Sequence, residues 1–247
     1  MTILSQLMIP RIIHYCWFGR GPMPQTALDC IESWHKYIPE WKYKLWNEDN
    51  FDVGCNPYVR EAYEAKKFAF VSDFVRLKVL SEEGGLYLDT DVKVIKSFDD
   101  LMSLDAFCGF EGSKSKPIGT CVMSSKTGGE WIMEMLAAYE GRHFVNTDGS
   151  LDLTTNTAFL SSVMEKSGFV RNGQQQIYKD CTVFPTDYFS PRQTTGEYFL
   201  TANTYSDHLG AASWTDSRGR GWKANLLGLF GPQMRTRLIK FKRKLVG

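Results

Sequence analysis

The sequence predicts an α/β domain built on a largely parallel sheet, and three observations point there. Strand-like and helix-like stretches alternate as β-α-β-α-β through the first hundred residues. The 247 residues, 43% hydrophobic and 14% aromatic, supply the core of one large domain without demanding a second. No apolar run is long enough to span a bilayer.

The elements follow in order. "IPRIIHYCW" (9–17) is rich in β-formers and closes on the loop signal Phe18-Gly19-Arg20-Gly21-Pro22. "LDCIESWHKYI" (28–38) places Leu28, Ile31, Trp34 and Ile38 at helical spacing, and Pro39 stops it. "WKYKLWN" (41–47) alternates as a second strand. A long helix is expected from about Val59 to Ser81, with Gly84-Gly85 as its stop. "GGLYLDTDVKV" (84–94) then reads as a buried strand, "AFCGFEG" (106–112) as another and "GGEWIMEMLAAYEG" (128–141) as an amphipathic helix. Residues 142–205 are mixed, with short strands expected near Thr182–Phe184 and Glu197–Leu200.

Composition excludes several classes. The net charge is +1, so no global field marks a nucleic-acid binder. Six of the 29 bases lie between Met234 and Gly247, where there is no acid, leaving a mildly acidic body of 23 bases against 28 acids. On a helix Met234, Leu238, Phe241 and Leu245 would form one apolar stripe, so residues 226–247 read as a basic amphipathic tail suited to an anionic membrane surface. The six cysteines are scattered without zinc-ligand spacing and read as reduced thiols. The first 19 residues lack a signal-peptide pattern, and the expected location is cytoplasmic, peripheral at the inner face of the membrane.

Within "YLDTDVK", an unbroken strand would put Tyr87, Asp89, Asp91 and Lys93 on one face and Leu86, Leu88, Thr90 and Val92 on the other. Two adjacent carboxylates resist joint ionisation unless a cation neutralises them. A hard divalent ion with oxygen ligands, Mn²⁺ or Mg²⁺, is the natural partner. Ligands of parallel α/β sheets sit at the carboxyl ends of strands, where this pair falls. Solvated aspartates balanced by Lys93 are the competing reading of so short a motif.

"IPRIIHYCWFG", "CIESW", "YKLWNEDNFD" and "AYEAKKFAFVSDFVRLKVLSEEGGLYLDTDV" occur in that order, and "DHLGAASW" follows at 207–214. Together they resemble the DXD-containing sugar transferases, a family that includes bacterial capsular-polysaccharide glycosyltransferases and the yeast initiating α-mannosyltransferase. Clostridial glucosylating toxins are more distantly similar. The resemblance implies the nucleotide-diphosphosugar (GT-A) fold: a Rossmann-like, mostly parallel central sheet flanked by helices, here residues 1–225. It also implies transfer of a hexose from a nucleotide-diphosphosugar to a glycan hydroxyl with retained configuration.

The resemblance further implies roles. Asp91 would bind the metal, Asp89 would share it or reach the ribose, and His208 would complete the site, with Asp207 an open alternative. Ser213 and Trp214 would close over the diphosphate. Asp73 and Arg76, at i, i+3 among Phe70, Phe74 and Leu77, would hold the sugar and phosphate. Trp17 and Phe18 would border the base; Tyr87, Leu88 and Thr90 would line the donor pocket; Asn156 would approach the donor sugar. Glu111 is a candidate contact from the second half. The expectation is therefore a metal-dependent glycosyltransferase with a UDP-sugar donor and a lipid-linked glycan acceptor, working in bacterial capsular or surface polysaccharide synthesis. GDP-mannose-dependent mannosyl transfer, a nucleotide-sugar phosphohydrolase and a non-catalytic sugar-nucleotide-binding module are the alternatives. No Ser/His/Asp triad or P-loop is present.

Overall fold

The computed structural model describes residues 8–112, 116–192 and 198–210. In chain order the elements are β1 (Ile12–Cys16), α1 (Gln25–Tyr37), β2 (Lys42–Trp46), α2 (Pro57–Glu64), α3 (Phe68–Glu83), β3 (Gly85–Leu88) and β4 (Val92–Val94). A 3₁₀ turn (Asp99–Leu101) precedes β5 (Ala106–Phe110), β6 (Ile118–Ser125), α4 (Glu130–Ala137), α5 (Asn156–Lys166), β7 (Gln176–Tyr178), β8 (Cys181–Phe184) and β9 (Ser206–His208).

Seven strands form the central sheet in the order β2-β1-β3-β6-β5-β8-β7, and β4 and β9 form a separate ribbon. β2, β1 and β3 are parallel, β6 runs against β3 and β5, β8 is parallel to β5, and β7 is antiparallel to β8. Five of the seven strands therefore point one way, as the α/β reading expects. Pleating divides the core in two. Tyr87 joins α2, α3, α4 and α5 on one face, around Tyr58, Phe74, Trp131 and Tyr139. Leu86 and Leu88 join α1 on the other, with Trp34, Val92, Val94 and Phe107.

Two expected elements are broken, each for a local reason. The long helix is two, α2 and α3. Asn56 caps α2 by accepting from Tyr58 N–H, with Pro57 at the first helical position where its missing donor costs nothing. The helix then ends through Lys66 at φ 57°, while Lys67 N–H returns to Ala62 O at 2.9 Å. The strand expected over 84–94 stops at Leu88. Asp89 still pairs by N–H to Cys121 O (2.9 Å), but Val92 N–H folds back to Asp89 O (3.0 Å), and β4 leaves the main sheet. The shared face expected for Tyr87, Asp89, Asp91 and Lys93 is therefore replaced by a turn. The elements β6, α5, β7 and β9 carry weak local signals and are found only in the structure.

Candidate active site

Asp89, Thr90 and Asp91 form the turn between β3 and β4, at the carboxyl edge of the main sheet. β1 is the parallel neighbour of β3, so Trp17 leaves the sheet at the same edge. α1 fixes the turn from behind: Trp34 Nε1–H donates to Val92 O (2.7 Å), and Ser33 Oγ accepts from Val94 N–H (2.9 Å). The β4–β9 ribbon then sets Val92 opposite His208, and Leu209 N–H donates to Asp91 O at 3.0 Å. A histidine 117 positions beyond Asp91 in the chain is thereby laid beside it.

Ligand atoms of Asp89, Asp91 and His208 lie within 4.8 Å of one another. His208 Nε2 stands 3.4 Å from Asp91 Oδ1, and its Nδ1 is 2.8 Å from Glu111 Oε1. Burial alone would lower the His208 pKa, but Cys121, Asp91 and Glu111 outweigh it and hold the value well above the ordinary range. Two carboxylates and an imidazole in this arrangement fit Mn²⁺ or Mg²⁺, whose hard oxygen preference leaves room for one nitrogen. Of the two candidates left open by the sequence, His208 is the one that faces Asp91, because neighbouring strand residues alternate. Asp207 points the other way and is gripped by Arg192 at 2.7 and 2.6 Å.

Arg76 is the hub beside this cluster. It reaches Asp73 Oδ1 at 2.8 Å and Asp89 Oδ1 at 3.3 Å, donates to Thr120 O at 2.6 Å, and stacks 4.7 Å above the Tyr87 ring. Its side chain is 5% exposed. Burial raises the Asp73 carboxyl to about 6 against the pull of Arg76. Burial also raises Asp89, which Arg76 opposes and Asp91 reinforces. The structure thus converts the i, i+3 pair of the sequence into a buried chain, Asp73–Arg76–Asp89, leading to the metal-fitting cluster.

Other expected donor residues fall differently. Trp17 is half-buried, with Nε1–H on Gly21 O at 2.7 Å. Phe18 packs its ring in the core against Phe51, which leaves its backbone as the part facing the sheet edge. Leu88 is likewise fully buried, on the α1 face. Tyr87 is buried too and acts as a brace, its hydroxyl donating to Asp89 Oδ1 at 3.0 Å. Asn156 opens α5; its Oδ1 accepts from Tyr139 O–H (3.0 Å), while its buried Nδ2 has no partner among the described residues. Ser213, Trp214 and the basic tail lie outside the described residues. Sequence reasoning missed Cys121, which joins Glu111 and His208 in a second close group. It also missed Arg142, which pairs with Asp152 amid Tyr58, Tyr139 and Phe159 and acts on Asp73 electrostatically. No local pattern marks either residue, because both are assembled from separate elements.

Residues 24–108 match the family described as the glycosyltransferase sugar-binding region containing the DXD motif. The chain is 25% identical over 219 residues to an uncharacterised glycosyltransferase, L373, of Acanthamoeba polyphaga mimivirus, covering 84% of each. It is 25% identical over 189 residues to the mannosyl phosphorylinositol ceramide synthase SUR1 of Saccharomyces cerevisiae, covering 70% of this chain but 48% of that one. Among solved structures it is similar to the PaToxG glycosyltransferase, with a TM-score of 0.49 and 16% identity over 66% of this chain and 73% of that one. The turn that carries Asp89 and Asp91 lies inside the matched segment, and over residues 24–108 the chain is similar to the DXD-containing glycosyltransferases.

Proposed function

We infer that the protein moves a hexosyl group from a nucleotide-diphosphosugar to an acceptor hydroxyl, with Mn²⁺ or Mg²⁺ held by Asp89, Asp91 and His208. One observation carries this: the three ligands converge within 4.8 Å at the sheet edge where the buried Asp73–Arg76 pair also ends. When bound, such an ion offsets the charge that builds on the diphosphate as the glycosidic bond breaks. The chain's own groups do the rest. Arg76 neutralises Asp89 and holds it in place. Asp73, fixed by the same guanidinium, presents its second oxygen to sugar hydroxyls. The half-exposed Trp17 offers a face for the base.

For the donor, UDP-hexoses are the first candidates. The mannosyl group in the name of the yeast relative supports GDP-mannose as the second. The phosphorylinositol ceramide in that name also supports a lipid-linked acceptor, which suits the basic tail of this sequence. Surface-polysaccharide synthesis in a bacterium is proposed from the motif resemblance alone. Vesicle co-sedimentation of the whole chain against one ending near Asn225 tests the membrane contact; equal binding removes it.

The central test is a thermal-shift panel of UDP- and GDP-sugars with and without Mn²⁺, followed by product analysis. A donor at a hundredfold excess over its Kd stabilises the folded chain by about 2.7 kcal/mol. A metal-dependent shift that Asp91→Asn abolishes is expected, with sugar found on the acceptor. Free sugar as the sole product would indicate a hydrolase instead. Absence of any metal-dependent shift would overturn the reading.

A further inference from the structure

The metal-fitting cluster has a feature that the DXD motif does not contain. His208 touches two carboxylates with its two nitrogens: Nδ1 lies 2.8 Å from Glu111 Oε1 and Nε2 lies 3.4 Å from Asp91 Oδ1. The shorter contact is to the residue outside the motif. Glu111 follows the last residue of β5, and its own N–H is tied to Pro117 O at 2.8 Å, which closes the β5–β6 connection.

The room for this contact comes from Gly119 on β6. A Cβ there would meet Glu111 Cβ at 3.2 Å and Oε2 at 3.6 Å. Gly119 does not have a left-handed φ, so its backbone does not demand glycine; a Cβ there would crowd Glu111 and also the Gly109 carbonyl at 3.2 Å, and one of them would have to give by a few tenths of an ångström. Glu111 keeps a quarter of its side-chain surface, and His208 about a fifth. The pair is therefore shielded without being sealed.

We propose that Glu111 is a positioning residue: it accepts the Nδ1 proton of His208 and so aims the Nε2 lone pair at the ion shared with Asp89 and Asp91. The chemical reason is general. A metal-binding imidazole must donate its other N–H somewhere, and a carboxylate in that role fixes both the tautomer and the ring plane. Cys121 also lies close to Glu111 and His208, its ligand atom within 4.8 Å of theirs. A thiol is a weak acceptor there, and the carboxylate holds the short contact. The inference rests on the metal reading of the site and adds a residue from the second half of the chain to it.

The test is Mn²⁺ titration of the full chain, free aqueous Mn²⁺ being read by electron paramagnetic resonance, for wild type, Glu111→Gln, Glu111→Ala and Glu111→Met. Gln retains an acceptor oxygen at the same reach; Ala and Met remove it, and whichever of the two melts like wild type without metal is the one compared. Loss of the acceptor should weaken Mn²⁺ binding by about 10–100-fold. Glu111→Gln should recover most of that, and the Mn²⁺ concentration needed for half-maximal transfer should follow the same order. Equal Mn²⁺ affinity in wild type and the acceptor-free variant overturns the assignment and leaves the metal reading standing. A loss in Gln as large as in Ala also overturns it, since charge rather than orientation would then be at work. If wild type itself binds no Mn²⁺, the metal reading fails and this inference with it.

Discussion

Replacing Arg76 by Met should cost the fold more than any other single change at the site. The guanidinium is 5% exposed and faces Asp73, which is 13% exposed, and Asp89, which is 25% exposed. It also satisfies the Thr120 carbonyl at 2.6 Å. Met fills similar volume, so the loss is electrostatic rather than a cavity. Removing one partner of a buried ion pair costs about 3–5 kcal/mol, because the carboxylate left behind is buried with its direct partner gone, Arg142 acting on Asp73 only as a further charge. Asp73 bears most of this, since Asp89 keeps some solvent. For a chain of this size the loss corresponds to a fall in Tm of roughly 6–20 °C.

The pH dependence gives the cause away. Asp73 already titrates near 6 in the wild type through burial, and losing Arg76 moves it higher still. The folded variant then binds more protons than the unfolded chain from about pH 4 upward, so its stability falls as pH rises. The deficit against wild type should be largest at pH 8 and shrink by pH 5.5. Urea denaturation of the metal-free protein at both values measures it, with Arg76→Met/Asp73→Asn expected to recover part of the loss. A deficit below about 1 kcal/mol at pH 8, or one that grows on acidification, would refute the buried-chain account.

Three further outcomes are expected. Asp91→Asn should abolish Mn²⁺ binding by calorimetry and lower transfer turnover at least ~100-fold, while metal-free stability stays within about 1 kcal/mol, because the residue sits in a half-buried turn. His14 is held neutral by burial, its pKa lowered to about 4, with Nδ1 accepting from Trp46 Nε1–H (3.0 Å) and Nε2–H donating to Gly84 O (2.9 Å). Its contribution, about 3 kcal/mol, is fully present above pH 6.5 and is lost as pH falls toward 4; His14→Gln should be less stable at neutral pH and show a flatter melting curve across that window. Gly85→Ala should cost several kcal/mol or prevent soluble expression, since φ is +108° and a Cβ would lie 2.7 Å from the Ile12 carbonyl, whereas Gly112→Ala, with nothing within 4 Å, should cost about 1 kcal/mol.

The sequence by itself determined the local half of this protein. Apolar spacing defines α1 and α3, β-forming runs define β1, β2 and β5, and their alternation defines the α/β class. Asp73 and Arg76 three positions apart on one helix, and the D-x-D at a strand end, were legible because helix and strand periodicity dictate which near neighbours can meet. Tertiary structure decided what those groups do. The strand through Asp89 breaks where Val92 N–H folds back to Asp89 O and β4 pairs with β9 instead of the main sheet, which turns a pleated face into a ligand-bearing turn. The same pairing brings His208 to Asp91, and the β5–β6 connection brings Glu111 to His208. Those contacts span 117 and 97 positions. Their register is set by burial of Val92 and Val94 against Trp34, a long-range packing event that leaves no periodic trace in the residues it unites.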